Sequence, residues 1–322
     1  MRRSVREVRA LTQNDAPLTT ARCHAATLWQ GVAMNVEIGP IGIIGAGRLG
    51  SSLAVALHAA GYPARVIASR STTSAEALAN QLEGATAATP EQAIEACEML
   101  FLTVPDDEIA SLAASLPWRE GQHAVHCSGA IGLDALAAAT EAGATAGCLH
   151  PLQSFPSREG DATRFRDIVS GIEAPAPLSG LLEAITRDLG GEVVRLEGVD
   201  RARYHAAAVF ASNYAVALAS AAGRAWELAG LPAKQARLAL APLLLGTATN
   251  IADRELAEAL TGPLARGDLA TIERHLAVLD AAPDGDAELA ALYRRLGSEL
   301  LALDLDHPPM TTERLHELFE GD

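Results

Sequence analysis

The sequence predicts an α/β fold with a doubly wound, mostly parallel sheet, followed by an all-α region. Three observations carry this. A short apolar run at 41–44 ends in Gly45-Ala46-Gly47-Arg48-Leu49-Gly50, and a helical pattern of Leu53, Ala54, Ala56, Leu57 and Ala60 follows, closed by Gly61. Short β-rich runs then alternate with helical stretches, the mark of a layered α/β unit. After Val199 no strand signal remains, and long alanine-rich helices follow.

The first element is a strand, a tight Gly-x-Gly-x-x-Gly turn and a helix, in the order a dinucleotide needs. Gly45 permits the turn. Gly47 lets a pyrophosphate approach the backbone, and Gly50 lets the helix pack close to the strand. The free N–H groups of the first helical turn then face the phosphates. A second strand is expected at 64–69, and a helix at 74–82 with Ser74 as its N-cap. Pro90-Glu91-Gln92 opens another helix. A strand at 99–104 is stopped by Pro105. Asp106 and Asp107 then start a helix at 108–116, where carboxylates suit the dipole. Strands at 124–127 and 146–149 flank a short helix at 133–142. Strand-like runs at 167–172 and 192–196 flank a helix at 178–189.

Beyond them, 201–229 reads as one long, almost wholly apolar helix, ended by Gly230 and Pro232. A helix apolar on all sides must be covered on all sides. In a region this small, that favours helices of a second copy, hence a homodimer. Further helices are expected at 233–249, 253–260, 268–281 and 287–303.

Composition bounds the function. With 322 residues and 49% apolar content the chain suffices for two domains and a core. Its net charge of −15 argues against a nucleic-acid partner. No apolar run is expected to reach the roughly 20 residues that span a bilayer, so no membrane role is expected. Cys23, Cys97, Cys127 and Cys148 have no C-x-x-C spacing, which fits a reducing cytoplasm and no metal site. Residues 1–37 differ from the rest. Arg2, Arg3, Arg6 and Arg9 make a basic start, Glu7 and Asp15 interrupt a transit-peptide pattern, and no secretory h-region is present. This segment reads as a disordered extension, with Met34 opening the folded chain. A nucleotide-binding domain is expected over 38–198 and a helical domain over 199–322.

Dinucleotide-binding domains specific for NAD close their second strand with an acidic residue that takes the ribose diol. Here that position reads Ala68-Ser69-Arg70-Ser71-Thr72, with no carboxylate. Arg70 could pair with a 2′-phosphate, with Ser69 and Ser71 donating to it, which favours NADP(H). Alternatively Arg70 is a solvated surface charge. Ligands bind beyond the carboxyl ends of the strands, which selects Val104-Pro105 as a cofactor wall and Ser128 and His150 as chemistry. Ser128 could bond a substrate oxygen or merely cap a turn. His150, held by Pro151, could handle the proton that accompanies hydride transfer, or be a structural histidine. His205 and Asn213 on the long helix could face the cleft or tie helices across a dimer. Arg266 could hold a substrate carboxylate or be solvated, and Asp268 should cap the next helix with Thr271.

These residues together resemble a known group. Gly45 to Gly50, Val104-Pro105-Asp106, His126-Cys127-Ser128-Gly129-Ala130, Leu149-His150-Pro151-Leu152-Gln153-Ser154-Phe155, Tyr204-His205-Ala206-Ala207-Ala208 and Leu260-Thr261-Gly262-Pro263 through Asp268 are similar to the bacterial Rossmann-like and DUF2520 family. The resemblance implies an NADP-binding Rossmann domain joined to a helical dimerisation domain like the C-terminal one of 6-phosphogluconate dehydrogenase. Pyrroline-carboxylate reductases and F420-dependent NADP oxidoreductases are implied as distant kin. Prephenate dehydrogenases carry a Gly-Ser and then a catalytic His-Pro in similar order to Ser128 and His150-Pro151. The β-hydroxyacid dehydrogenases use a Lys four residues before a helical Asn; Val209 stands there, so that mechanism does not carry over to Asn213. The expectation is an NADP-dependent oxidoreductase acting on a small carbonyl, hydroxy-acid or imine substrate. The alternatives are a non-catalytic NADP-binding sensor or assembly protein, and an F420–NADP oxidoreductase.

Overall fold

The computed structural model describes residues 39–281 and 287–321. The expected extension before Met34 lies outside the described residues. The first strand, β1 (Ile41–Ile44), is buried throughout and feeds the glycine turn into α1 (Arg48–Ala59). The units β2 (Ala64–Ala68), α2 (Thr72–Ala79), β3 (Thr86–Ala88), α3 (Pro90–Ala96) and β4 (Met99–Leu102) follow. After them come α4 (Asp106–Ser115), β5 (His123–His126), α5 (Ala137–Glu141) and β6 (Thr145–Pro151). β7 (Val169–Glu173), α6 (Leu178–Asp188) and β8 (Glu192–Arg195) complete the sheet.

The eight strands lie in the order β3-β2-β1-β4-β5-β6-β7-β8. All neighbours are parallel except β6 and β7. The chain reverses its direction of travel between β1 and β4, and a crevice opens there beyond the carboxyl ends of both strands. Apolar clusters fill both faces. One is built around Ile43, Leu53, Phe101 and Leu182, the other around Ile44, Leu100, Leu102 and Ile109.

Several local expectations need correction. The N-cap of α2 is Ser71, whose Oγ accepts from the Ser74 N–H; Ser74 sits three residues into the motif. β3 escapes periodicity because it has three residues. The strand expected at 99–104 ends at Leu102. The strand expected at 146–149 runs on to Pro151, since β7 pairs His150 with Gly171 and Pro151 with Ser170. The helix at 133–142 begins as a 3₁₀ turn, Leu133–Leu136, before α5.

The helical region contains α7 (Arg201–Ala211), α8 (Asn213–Leu228), α9 (Ala233–Asp253) and α10 (Leu256–Ala259). It continues with α11 (Leu269–Asp280), α12 (Ala287–Leu301) and α13 (Pro309–Glu320). The long helix expected at 201–229 is broken at Ser212, whose Oγ bonds the Ala208 carbonyl at 2.8 Å and competes with the helical ladder. The stretch expected at 253–260 is split between the end of α9 and the short α10, and α13 was not expected at all. Asp268 caps α11 by accepting from the Thr271 N–H, as expected.

One expectation about 201–229 changes. Arg201–Leu228 spans 28 residues and holds an 18-residue stretch of mean hydropathy 1.4, long and apolar enough by length and composition to cross a bilayer, contrary to the expectation. Among the described residues, little covers this stretch or the neighbouring α9. Phe210, Val216, Leu238, Leu243 and Leu245 are 69–72% exposed. The only buried residues of α7 and α8 are Arg201 and Ala221.

Candidate functional site

The cleft begins where backbone meets backbone. Gly45 has φ +121°, and a Cβ there would stand 2.6 Å from the Thr103 carbonyl oxygen. A Cβ on Gly50 would lie 1.9 Å from the Gly45 oxygen and 2.4 Å from Thr103 Oγ1. Thr103 Oγ1 donates to the Gly45 carbonyl at 2.8 Å and locks the turn against the end of β4. A Cβ on Gly47 would meet nothing nearer than 4.0 Å, so this position faces open cleft. That is the space a pyrophosphate would take, in front of the N-terminus of α1. The residues present therefore fit a dinucleotide.

The cleft has a volume of about 760 Å³. Gly45, Ala46, Gly47, Arg48, Leu49, Ser69, Arg70, Ser71, Val104 and Pro105 line it, so of the expected cofactor residues only the buried Gly50 stays behind the wall. Ser128 lines its far part, beside Cys127. The lining also includes residues outside the expected set, among them Glu108 and Arg158. Glu108, in the first turn of α4, accepts from Arg70 Nη1 at 2.8 Å. Arg158 comes from the loop of residues 152–168. That loop is pinned to α1 by the Asp161 N–H donating to Ser52 Oγ at 3.1 Å. No sequence signal marks either one, because each reaches the cleft from a separate element.

Next to the cleft, the first turns of α7 dock on the sheet. Strand register sets His126, Cys148 and Glu173 side by side on β5, β6 and β7. His150 and Gly171 form the next row on the same face. Arg201, Tyr204 and His205 share one side of α7 through their i, i+3, i+4 spacing. Arg201, only 9% exposed, forms an ion pair with Glu173 and donates to Cys148 Sγ at 3.6 Å. His150 Nδ1 lies 2.9 Å from Tyr204 Oη, and the His150 and His205 ring centroids are 6.1 Å apart. Two glycines make this possible. A Cβ on Gly129 would come 2.5 Å from His150 Cε1, and one on Gly171 would come 2.6 Å from Tyr204 Oη. Ser128, which precedes Gly129, thereby connects the cleft to the His150–Tyr204 pair.

His150, Tyr204 and His205 are each half-buried. Burial, then His205 and Arg201, push the His150 pKa down to about 4. Burial and Arg201 likewise push His126 down to about 4. Burial, with Cys148 beside it, raises Tyr204 to about 12. His126 Nδ1 accepts from the Ser128 N–H at 3.2 Å, leaving its proton on Nε2, which is buried without a partner. His205 Nδ1 and Arg201 Nε are also buried and unpartnered.

Of the expected catalytic residues, Ser128, His150 and His205 come together and Asn213 does not. Asn213 is exposed at the start of α8 and accepts from Ser212 Oγ at 2.9 Å. Arg266 is exposed as well. Tyr204, visible in the sequence only as a neighbour of His205, is the direct partner of His150. Among the described residues no group of three or more metal-ligating side chains lies together.

A switch-point cleft floored by a glycine turn, with a helical region docked beside it, defines a protein of the Rossmann dinucleotide-binding class. Family models agree in both halves. A Rossmann-like domain matches residues 33–151, and the domain of unknown function DUF2520 matches residues 168–300. The chain thus carries a Rossmann-like domain followed by a DUF2520 domain. The DUF2520 match takes in β7, α6 and β8, so it begins inside the sheet, ahead of the boundary expected at 198. Among solved structures, a candidate NADP oxidoreductase from Bacteroides fragilis is 28% identical with a TM-score of 0.64, covering 82% of this chain and 98% of its own. The TM1727 protein of Thermotoga maritima is 27% identical with a TM-score of 0.60, covering 87% and 98%. A reductive aminase from Aspergillus terreus, solved with NADPH and ethyl-5-oxohexanoate, shares the fold at 18% identity, with a TM-score of 0.57 and coverage of 86% and 98%. Among curated proteins none matches the chain.

The histidine shifts give a pH dependence with a definite sign. His150 and His126 have folded-state pKa values near 4, below the unfolded value of about 6.5. Between these limits the unfolded chain binds more protons, so stability rises with pH across the window and is lost as pH falls from about 6.5 toward 4. Melting temperature measured from pH 7.5 down to 4.5 should fall across that window, and less steeply in His150→Asn. Histidine NMR titration should find two rings still neutral at pH 5. A flat stability profile would contradict the burial of these rings.

Proposed function

We propose that the chain is an NADP(H)-dependent oxidoreductase acting on a small carbonyl, hydroxy-acid or imine substrate. The observation that carries this reading is the half-buried His150–Tyr204 pair, hydrogen-bonded at 2.9 Å against Gly129, whose neighbour Ser128 lines the dinucleotide cleft. The likeness to the candidate NADP oxidoreductase of Bacteroides fragilis supports it. A bound nicotinamide supplies or accepts hydride. The chain's own residues must then move a proton and orient a polar substrate atom. His150 is neutral at pH 7, so its imidazole works as a relay with the Tyr204 hydroxyl, the second nitrogen giving or taking the proton. Ser128 Oγ accepts from the Ala130 N–H and keeps its own hydrogen to offer a substrate oxygen or nitrogen. His205 closes the pocket from α7.

The expected cofactor is NADP(H). Arg70 and Ser71 stand at the end of β2, where NAD-specific domains carry an acid. The exposed apolar faces of α7, α8 and α9 are read as a homodimer interface, since patches of this extent seldom stay open to water. The intermixed charges of Arg203, Arg224 and Glu227 fit a protein partner better than a bilayer. A cytoplasmic location is proposed as well, on the free thiols of Cys97, Cys127 and Cys148.

Turnover is tested with NADPH and a panel of imines, ketones and keto acids. His150→Asn and Tyr204→Phe should each lower the rate by about 10²-fold or more while NADPH affinity stays within about twofold. Parental turnover in both variants would reject the relay, and tight NADPH binding with no turnover on any substrate would favour a sensor. In fluorescence titrations NADPH should bind more tightly than NADH, and Arg70→Ala should erase most of that difference. Tighter NADH binding by the parent chain would sink the NADP assignment. Light scattering at micromolar concentration should report about twice the 33.5 kDa chain mass, and Val216→Glu with Leu245→Glu should shift it toward one. A parent protein that is monomeric would overturn the dimer.

A further inference from the structure

The NADP reading rests on the lack of a carboxylate at the end of β2, yet the folded chain brings one there from another element. Arg70 extends from the β2 end and Glu108 from the first turn of α4. In the strand order, β2 and β4 flank β1 on either side. The 2.8 Å bond between Arg70 Nη1 and Glu108 Oε1 therefore bridges the cleft above the carboxyl end of β1. Both residues line the cleft, together with Ser69, Ser71, Ser74 and Ser111 at the same end. A ligand phosphate at this end and the Glu108 carboxylate would seek the same guanidinium.

We propose that Glu108 is a specificity-determining residue of the dinucleotide site: its carboxylate competes with a 2′-phosphate for Arg70 and so limits the preference for NADPH over NADH. The inference rests on the NADP reading above. Three physical points support it. Arg70 is 80% exposed and Glu108 is 34% exposed, so the pair is solvated and weak enough to open. A carboxylate in the first turn of α4 is favoured by the helix dipole and stays in place whether or not Arg70 turns away. A 2′-phosphate that does capture Arg70 still sits near this anion, which repels it across a distance that salt only partly screens. NADH, with no 2′-phosphate, meets neither effect.

The test uses the full-length protein and fluorescence titration with NADPH and NADH for the parent, Glu108→Gln, Arg70→Ala and the double variant. Glu108→Gln should tighten NADPH about fivefold, as expected for removal of a weak solvated pair. NADH should change by less than about twofold, and the NADPH gain should shrink at high salt. In the Arg70→Ala background the same substitution should have almost no effect, which is the signature of a shared partner. Glu108→Ala serves as a second variant, and melting curves check that each one folds. Unchanged or weaker NADPH binding in both Glu108 variants overturns the proposal. So does a gain that persists without Arg70. The two readings fail separately. If Arg70→Ala weakens NADPH while the Glu108 variants do nothing, only the competition is lost. If Arg70→Ala leaves NADPH binding unchanged, the NADP reading itself falls.

Discussion

Arg201 is a largely buried cation held against the face of a sheet, and the position of the His150–Tyr204 pair depends on it. Its guanidinium meets Glu173 on β7 and the Cys148 sulfur on β6. Those two bonds fix the angle and register at which α7 lands. Tyr204 and His205, three and four residues along, are then delivered onto His150. Removing one partner of such a largely buried pair costs about 3–5 kcal/mol, because the other charge is left desolvated. Burial does most to hold His150 and His126 neutral, and the same positive charge adds to it. One ion pair thus anchors the helix and reinforces the protonation state.

Around it, several close approaches depend on side chains that are absent. Gly50 lets α1 lean on the turn, and Thr103 fills the remaining corner with a hydroxyl. Gly129, just past the end of β5, and Gly171, on β7, do the equivalent for the imidazole and the phenol, on either side of β6. The two halves of the site are therefore of one construction: backbone kept bare so that something rigid fits against it. In the cleft that something is a phosphate chain. Beside it, the protein supplies the occupant itself.

How much of this the sequence reveals follows from the range of each interaction. The glycine turn, the strand end at Arg70 and the Ser128-Gly129 pair are local patterns that line the cleft or adjoin it, whereas His150-Pro151, expected past a strand end, lies within β6. Caps are local too, although Ser71 and Ser74 compete for the same role and only geometry decides between them. The pairs that make the site work are not local. Arg201 and Glu173 are 28 residues apart, Arg70 and Glu108 are 38 apart, and His150 and Tyr204 are 54 apart. A sequence shows which residue types exist but not which of them meet. The break at Ser212 was hidden for a related reason. A serine within an alanine-rich run looks compatible with a helix until its hydroxyl takes the carbonyl behind it.

The reversal of direction between β6 and β7 has a consequence for how this architecture can vary. Because β7 runs back alongside β6, the loop of residues 152–168 leaves and re-enters the sheet at one corner, where the Leu152 N–H bonds the Val169 carbonyl at 2.9 Å. Its ends are closed whatever its length, and each doubling of such a loop adds only about 0.6 kcal/mol of closure entropy. The Rossmann-like match stops at 151 and the DUF2520 match starts at 168, so the interval between them falls on this loop. It is also the segment that carries Arg158 to the cleft. The fold thus keeps one length-tolerant loop beside a rigid dinucleotide cleft. Insertions there can reshape what the cleft admits while every strand stays in register.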